Sequence, residues 1–211
     1  MAEPAYIPAL AIPALARPLL PRHSAVVRIT HWVHTLSFVG LLVSGIAILL
    51  AHPRLYWGET GAVGMPSLLD LPLPFVLTGQ SGWGRSLHFL SAWLAVLNGA
   101  VYILSGLATR HFRNDLLRQR SYNALQRATY LAVVFLLFPL VVATGLAMSP
   151  AITSVLPALV NVFGGTQSAR TLHFFAASSL VLFLAGHIAM VCWNGFTGLM
   201  RSMTIGIKEP S

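Results

Sequence analysis

Eight histidines occur in this chain of 211 residues, and five of them, His31, His34, His88, His173 and His187, fall inside long apolar runs. Imidazole is the commonest metal ligand among side chains and titrates near neutrality. Ionisable groups are costly in hydrocarbon, so those found there mark a ligand site or a conduction path. His173 and His187 lie fourteen residues apart. On a helix that interval spans about 21 Å and about 1400° of turn, only about 40° short of whole turns. Both rings therefore leave one helix face, one toward each side of an apolar layer about 30 Å thick.

Composition dictates what carries these residues. The chain is 56% hydrophobic and only 9% charged, with a mean hydropathy of +0.74. Soluble domains carry about 25% charged residues, so the chain reads as an all-α membrane protein. Four apolar runs predict spans at about 28–50, 85–108, 128–148 and 170–193. A proline-interrupted arm, residues 1–24, precedes them, because Pro4, Pro8, Pro13, Pro18 and Pro21 forbid a continuous helix. Residues 25–200 form the membrane domain, and 201–211 a tail. Between spans, Ser67–Leu77 is expected to hold a short interfacial helix, and Ile152–Phe163, broken by Pro157, a re-entrant or interfacial segment.

The basic residues set the topology. Arg17, Arg22, Arg28, Arg110, Arg113, Arg118, Arg120, Arg127, Arg201 and Lys208 fall on one side, and Arg54, Arg85 and Arg170 on the other. Ten against three places both termini in the cytoplasm. The net charge of +8 is thereby explained as topology and anchoring, and nucleic acid is excluded as a partner because no basic face stands on a soluble surface. Cys192 is the only cysteine. It supports no intramolecular disulfide, no covalent haem motif and no thiolate iron–sulfur cluster, and reads as a packing residue.

In this frame His88 and His173 occupy the outer level, and His31 and His187 the inner one. Each pair joins two helices, as a haem slotted between helices requires. Arg28-x-x-His31, Arg85-x-x-His88 and Arg170-x-x-His173 repeat one arrangement. At i, i+3 each guanidinium sits a turn nearer water than its histidine, where haem propionates would meet it in fork geometry. The residues thus predict two noncovalent b haems with bis-histidine ligation. A proton or ion pathway and purely structural histidines are the competing readings, and snorkelling competes for the arginines. His34, one turn beyond His31, competes with it as the inner ligand or contacts quinone or propionate. His23, His52 and His111 read as surface residues. Gly40, Ser44, Gly45, Ser91, Gly99, Gly106, Gly145 and Gly186 are small enough to suit a flat macrocycle or close helix packing.

Arg28-Ile-Thr-His31-Trp32 at the start of the first helix, with the terminal His-x13-His, resembles the b-type cytochrome subunits of membrane-bound hydrogenases, formate dehydrogenases and thiosulfate reductases, which belong with bacterial cytochrome b561. Pro53-Arg54-Leu55-Tyr56-Trp57-Gly58-Glu59 is most similar to the thiosulfate-reductase-type branch. The resemblance covers roughly residues 25–200 and implies a four-helix bundle in the bacterial inner membrane holding two b haems. It implies the iron ligands His31, His88, His173 and His187, and electron exchange between a periplasmic redox subunit (a molybdopterin, iron–sulfur or cytochrome protein) and quinone. Arg28, His34, Arg85, Arg170 and Asn194 are the candidate propionate or quinone contacts. Oligomerisation is compatible with this reading. A stand-alone dihaem cytochrome passing electrons from a diffusible reductant such as superoxide to quinone is the second function class, and a proton-coupled transporter without haem is the third.

Overall fold

The protein was analysed as a computed structural model, which describes residues 24–62, 64–72, 81–109, 128–129 and 131–206. The N-terminal arm up to residue 23, the basic segment 110–127 and the tail from 207 lie outside them, as do Arg17, Arg22, His23, His111 and Lys208.

Long apolar runs without internal proline form helices of membrane length. Helix α1 spans Ala25–Ala51, α2 spans Ser81–Ala108 and α6 spans Thr166–Trp193. Among the described residues these three are long and apolar enough to cross a bilayer. The third expected span, 128–148, is helical through its described residues but of two kinds: after α-helical residues 128–129 and 131–132, a π-helical turn, Val133–Leu137, runs directly into α3, Phe138–Ala147. Pro139 explains the change. Its ring and missing N–H forbid an ordinary helical turn before it, and the Phe138 N–H donates instead to the Val133 carbonyl five residues back.

The packing is inverted relative to a soluble bundle. Ser37, Ser44, Thr144, Ser168 and Thr171 are fully buried, whereas Leu36, Leu90, Leu97, Leu104, Phe135 and Leu182 are exposed. Lipid is as apolar as leucine, so burying leucine gains little there, and small residues that let backbones approach form the interior. Gly40 is the clearest case: a Cβ at that position would overlap Ser91 Oγ of α2. The bundle is built from two helix hairpins, α1 packed on α2 and α3 packed on α6.

The outer connections are irregular but fastened. Strands β1 (Arg54–Leu55) and β2 (Leu69–Asp70) pair antiparallel, tied by a 3.0 Å ion pair between Arg54 and Asp70. The expected helix at Ser67–Leu77 is therefore corrected in its described part, residues 67–72, which enter the second strand. Leu68 and Leu71 donate to the carbonyls of Leu55 and Pro53, a ladder that the β-branched-poor sequence did not advertise. The segment between α3 and α6 holds two short helices, α4 (Pro150–Thr153) and α5 (Ala158–Val162), with Pro157 dividing them as expected. Beyond α6, Gly195 at φ 98° turns the chain into α7, Phe196–Thr204. Arg28 Nη1 and Trp32 Nε1 of α1 donate to the Thr204 and Met203 carbonyls, at 2.9 and 3.1 Å. Those bonds hold the end of α7 against the start of α1.

Candidate haem site

His88 stands seven residues into α2 and His173 seven residues into α6, so both lie about 10 Å below the outer helix ends. Their rings face each other across the two hairpins with centroids 6.1 Å apart and planes inclined by 62°. Metal–imidazole bonds run about 2.0–2.1 Å, so a metal ligated by two opposed imidazoles holds their centres about 6 Å apart. The spacing fits one iron. A ring of four donors supplied by a macrocycle needs only two more from protein. Accordingly, among the described residues no group of three or more His, Cys, Asp or Glu gathers to hold a metal on its own.

The free edge of each ring is decided by what grips the other edge. Ser44 Oγ of α1 lies 3.0 Å from His88 Nδ1, and Thr144 Oγ1 of α3 lies 3.0 Å from His173 Nδ1. Neither hydroxyl has a proton to spare. Ser44 Oγ donates to the Gly40 carbonyl at 2.6 Å, and Thr144 Oγ1 to the Leu140 carbonyl at 2.7 Å. Each must therefore accept from its imidazole, which puts the proton on Nδ1 and a lone pair on Nε2. Glycine follows in each case. A Cβ on Gly45 would lie 3.9 Å from His88 Cε1, and one on Gly145 3.4 Å from His173 Cε1.

His34 is held differently. Asn98 Nδ2 of α2 lies 2.5 Å from His34 Nδ1 and donates to the Thr30 carbonyl at 2.8 Å. Turning the amide over would set its oxygen against that carbonyl, so the nitrogen orientation holds and His34 Nδ1 accepts. Its proton then sits on Nε2. The ring is edge-on to Phe138 at 5.7 Å, and a Cβ on Gly99 would lie 3.6 Å from its Cε1. The other two candidate ligands touch rings of their own helices: His31 packs edge-on against Trp32 at 5.3 Å, and His187 stacks on Phe183 at 6.1 Å.

Arg28, Arg170 and Asn194 fasten helix ends. Arg28 binds the Thr204 carbonyl, Arg170 Nη2 binds the His52 carbonyl, and Asn194 Nδ2 binds the Met190 carbonyl at 2.8 Å. Arg85 is exposed near the outer start of α2. Around Arg170 the outer loop is seated on the start of α6: Thr171 Oγ1 donates to the Tyr56 carbonyl at 2.6 Å, and the Gln167 and Ser168 N–H groups donate to the Gly58 carbonyl at 3.0 and 3.3 Å. Burial and the charges of Arg170 and Arg85 hold the His52 imidazole below its ordinary range. Cys192 is exposed rather than packed.

Sequence reasoning missed Asn98 and Thr144 and noted Ser44 only for its size. A signal was present: Ser44-Gly45, Asn98-Gly99 and Thr144-Gly145 are polar–glycine pairs inside apolar helices, and each meets one histidine.

The chain is 31% identical over 191 residues, 80% of its own length and 89% of the relative's, to the Azospira oryzae protein YedZ1, which its name describes as a protein-methionine-sulfoxide reductase subunit. No solved structure matches. The family model for prokaryotic cytochrome b561 matches residues 22–206, a stretch that contains every histidine of the paired levels and all the residues that grip them. The chain belongs to the prokaryotic cytochrome b561 family.

Proposed function

We propose that this family member, a membrane protein of a haem-binding family, is the dihaem electron-transfer subunit of an oxidoreductase, working between quinone and a periplasmic partner. One observation carries the reading: two imidazoles 6.1 Å apart across two hairpins, each with Nδ1 tied to a hydroxyl that can only accept. Such an arrangement leaves the Nε2 lone pair of each ring free to ligate a metal. His88 and His173 would hold the outer haem. His31 and His187 would hold the inner one, since each stands six residues from its inner helix end, Ala25 and Trp193. His34 is disfavoured as a ligand because ligation through Nε2 would require it to lose the proton that Asn98 directs there.

When bound, the haems supply one-electron Fe(III)/Fe(II) couples. The protein's part is to bind, orient and insulate. The hydroxyl-gripped His88 and His173 would hold the haem from both sides, so that the site would carry electrons and not admit substrate. Ser, Thr and Ala interiors and Leu-rich exteriors exclude water from it. On the cytoplasmic side, the His34 Nε2–H is a hydrogen-bond and proton donor of the kind a quinone carbonyl takes, with Arg28 and Asn194 nearby in depth. The outer loop from His52 to Ala62, seated over the start of α6, would meet the partner. The name of the Azospira relative favours a reductase as that partner, with electrons leaving quinone, passing inner to outer, and being handed out at the periplasmic face. Tyr56, Trp57 and Glu59 lie in that loop, and Trp57 is exposed.

Pyridine haemochrome analysis of the purified chain tests the proposal. Two b haems per chain and a reduced α band are expected. A preparation with neither would sink it in favour of a histidine relay, and quinone reduction by a diffusible reductant without any partner would favour the stand-alone cytochrome.

A further inference from the structure

Ser44 and Thr144 do the same job from different helices. Leu41-Leu42-Val43-Ser44-Gly45 in α1 and Val141-Val142-Ala143-Thr144-Gly145 in α3 follow one pattern. In each, the fourth residue offers a hydroxyl to a histidine of another helix, and the fifth is a glycine lying against the same ring. Both hydroxyl residues have 0% exposure, so neither is placed there by contact with water. A buried serine or threonine usually satisfies itself on the carbonyl four residues back. These two do so and still accept a second bond, from a ring of another helix. That second bond is what a metal-ligating histidine requires of its surroundings, because the partner of Nδ1–H fixes the tautomer, sets the ring's rotation and raises the basicity of the ligating nitrogen.

We propose that Ser44 and Thr144 are paired positioning residues of the outer haem, which fix the tautomer and rotation of His88 and His173 and thereby set its redox potential. The inference rests on the reading of His88 and His173 as axial ligands. Neutral hydroxyls polarise Nδ1–H less than a carboxylate would, so both imidazoles stay neutral and ferrous iron is not strongly disfavoured. Losing a hydroxyl removes the pull on Nδ1–H, makes Nε2 a poorer donor and favours the ferrous state. It also releases the ring's rotation, so the 62° inclination changes.

The test uses the full-length chain, in detergent or nanodiscs, as wild type, Ser44→Ala, Thr144→Val and Thr144→Ser. Redox titration followed by the α band, and EPR of the oxidised protein, are the readouts. At the wild-type midpoint of the outer haem, Ser44→Ala and Thr144→Val are expected to raise its reduced-to-oxidised ratio about tenfold, which is about 59 mV for one electron. The low-spin ferric signal of one haem should move and the other should not. Thr144→Ser keeps the hydroxyl and should stay within about twofold of wild type. Loss of the outer haem in Thr144→Val with retention in Thr144→Ser supports the same conclusion. Equal shifts in the valine and serine variants, loss of haem in both, or unchanged titrations and spectra throughout would overturn it. A wild-type protein without haem overturns the ligand reading itself, a result distinct from any of these.

Discussion

At the residue scale, each histidine's function follows from which ring nitrogen carries the proton. The His88 and His173 rings donate Nδ1–H to hydroxyl oxygens and keep a lone pair on Nε2, whereas His34 Nδ1 accepts a hydrogen bond from Asn98 Nδ2. The expected consequence is a split among histidine variants. His88→Ala should remove about one haem of two, and His31→Ala likewise, while His34→Ala should retain both and slow quinone turnover. Haem-to-protein ratios across the three variants check this, and two haems in His88→Ala would refute the outer pairing. The histidines themselves were legible in the sequence because an imidazole in an apolar run is conspicuous. Their partners were not. Ser44, Asn98 and Thr144 resemble ordinary helix-packing residues, and only the relative rotation of two helices tells which hydroxyl meets which ring.

At the scale of elements, the outer loop is held by backbone that only glycine permits. Gly165 has φ 116°, and a Cβ there would run into the Gly58 backbone. Gly165→Ala combines left-handed strain, which costs roughly 1–3 kcal/mol, with that collision. It should detach the 52–62 segment from the start of α6, read as faster amide exchange there with α1 and α2 unchanged. The same seat is sensitive to acid. His52 is held below its ordinary pKa of 6.5, so the folded loop favours the neutral ring. The stability from this ring is fully present above 6.5 and falls away as the pH drops through the lower folded value. Exchange of residues 52–62 should therefore quicken on acidification below 6.5, and His52→Gln should flatten the response. Apolar runs disclosed the long helices to within a few residues, since length and hydropathy suffice for that. The two-residue strands and α7 were not legible: short pairings depend on what lies opposite, and α7 is fixed by bonds to Arg28 and Trp32.

For the whole molecule, α1 packs on α2 and α3 on α6, and on the proposed reading His88 and His173 join the two pairs through one haem. Haem-depleted protein should then lose cohesion between the pairs before it loses helix. Far-ultraviolet circular dichroism should stay nearly unchanged on depletion while amide exchange around Gly45 and Gly145 quickens; unchanged exchange would show the pairs to hold without haem. The arginine distribution makes a separate prediction about orientation. Fluorescent-protein fusions at the C-terminus should light up in cells, and phosphatase fusions within 56–62 should be active.

The π turn at Val133–Leu137 matters for how relatives are compared. It places one residue more in its turn than an α-helix would, and one residue corresponds to about 100° of rotation. The stretch before it and the Thr144–Gly145 face after it are thus out of phase by nearly a third of a turn. A homologue that closes the turn into ordinary α-helix by losing one residue would keep both faces in phase. A single gap near position 135 in an alignment would then preserve the aim of the threonine hydroxyl at His173.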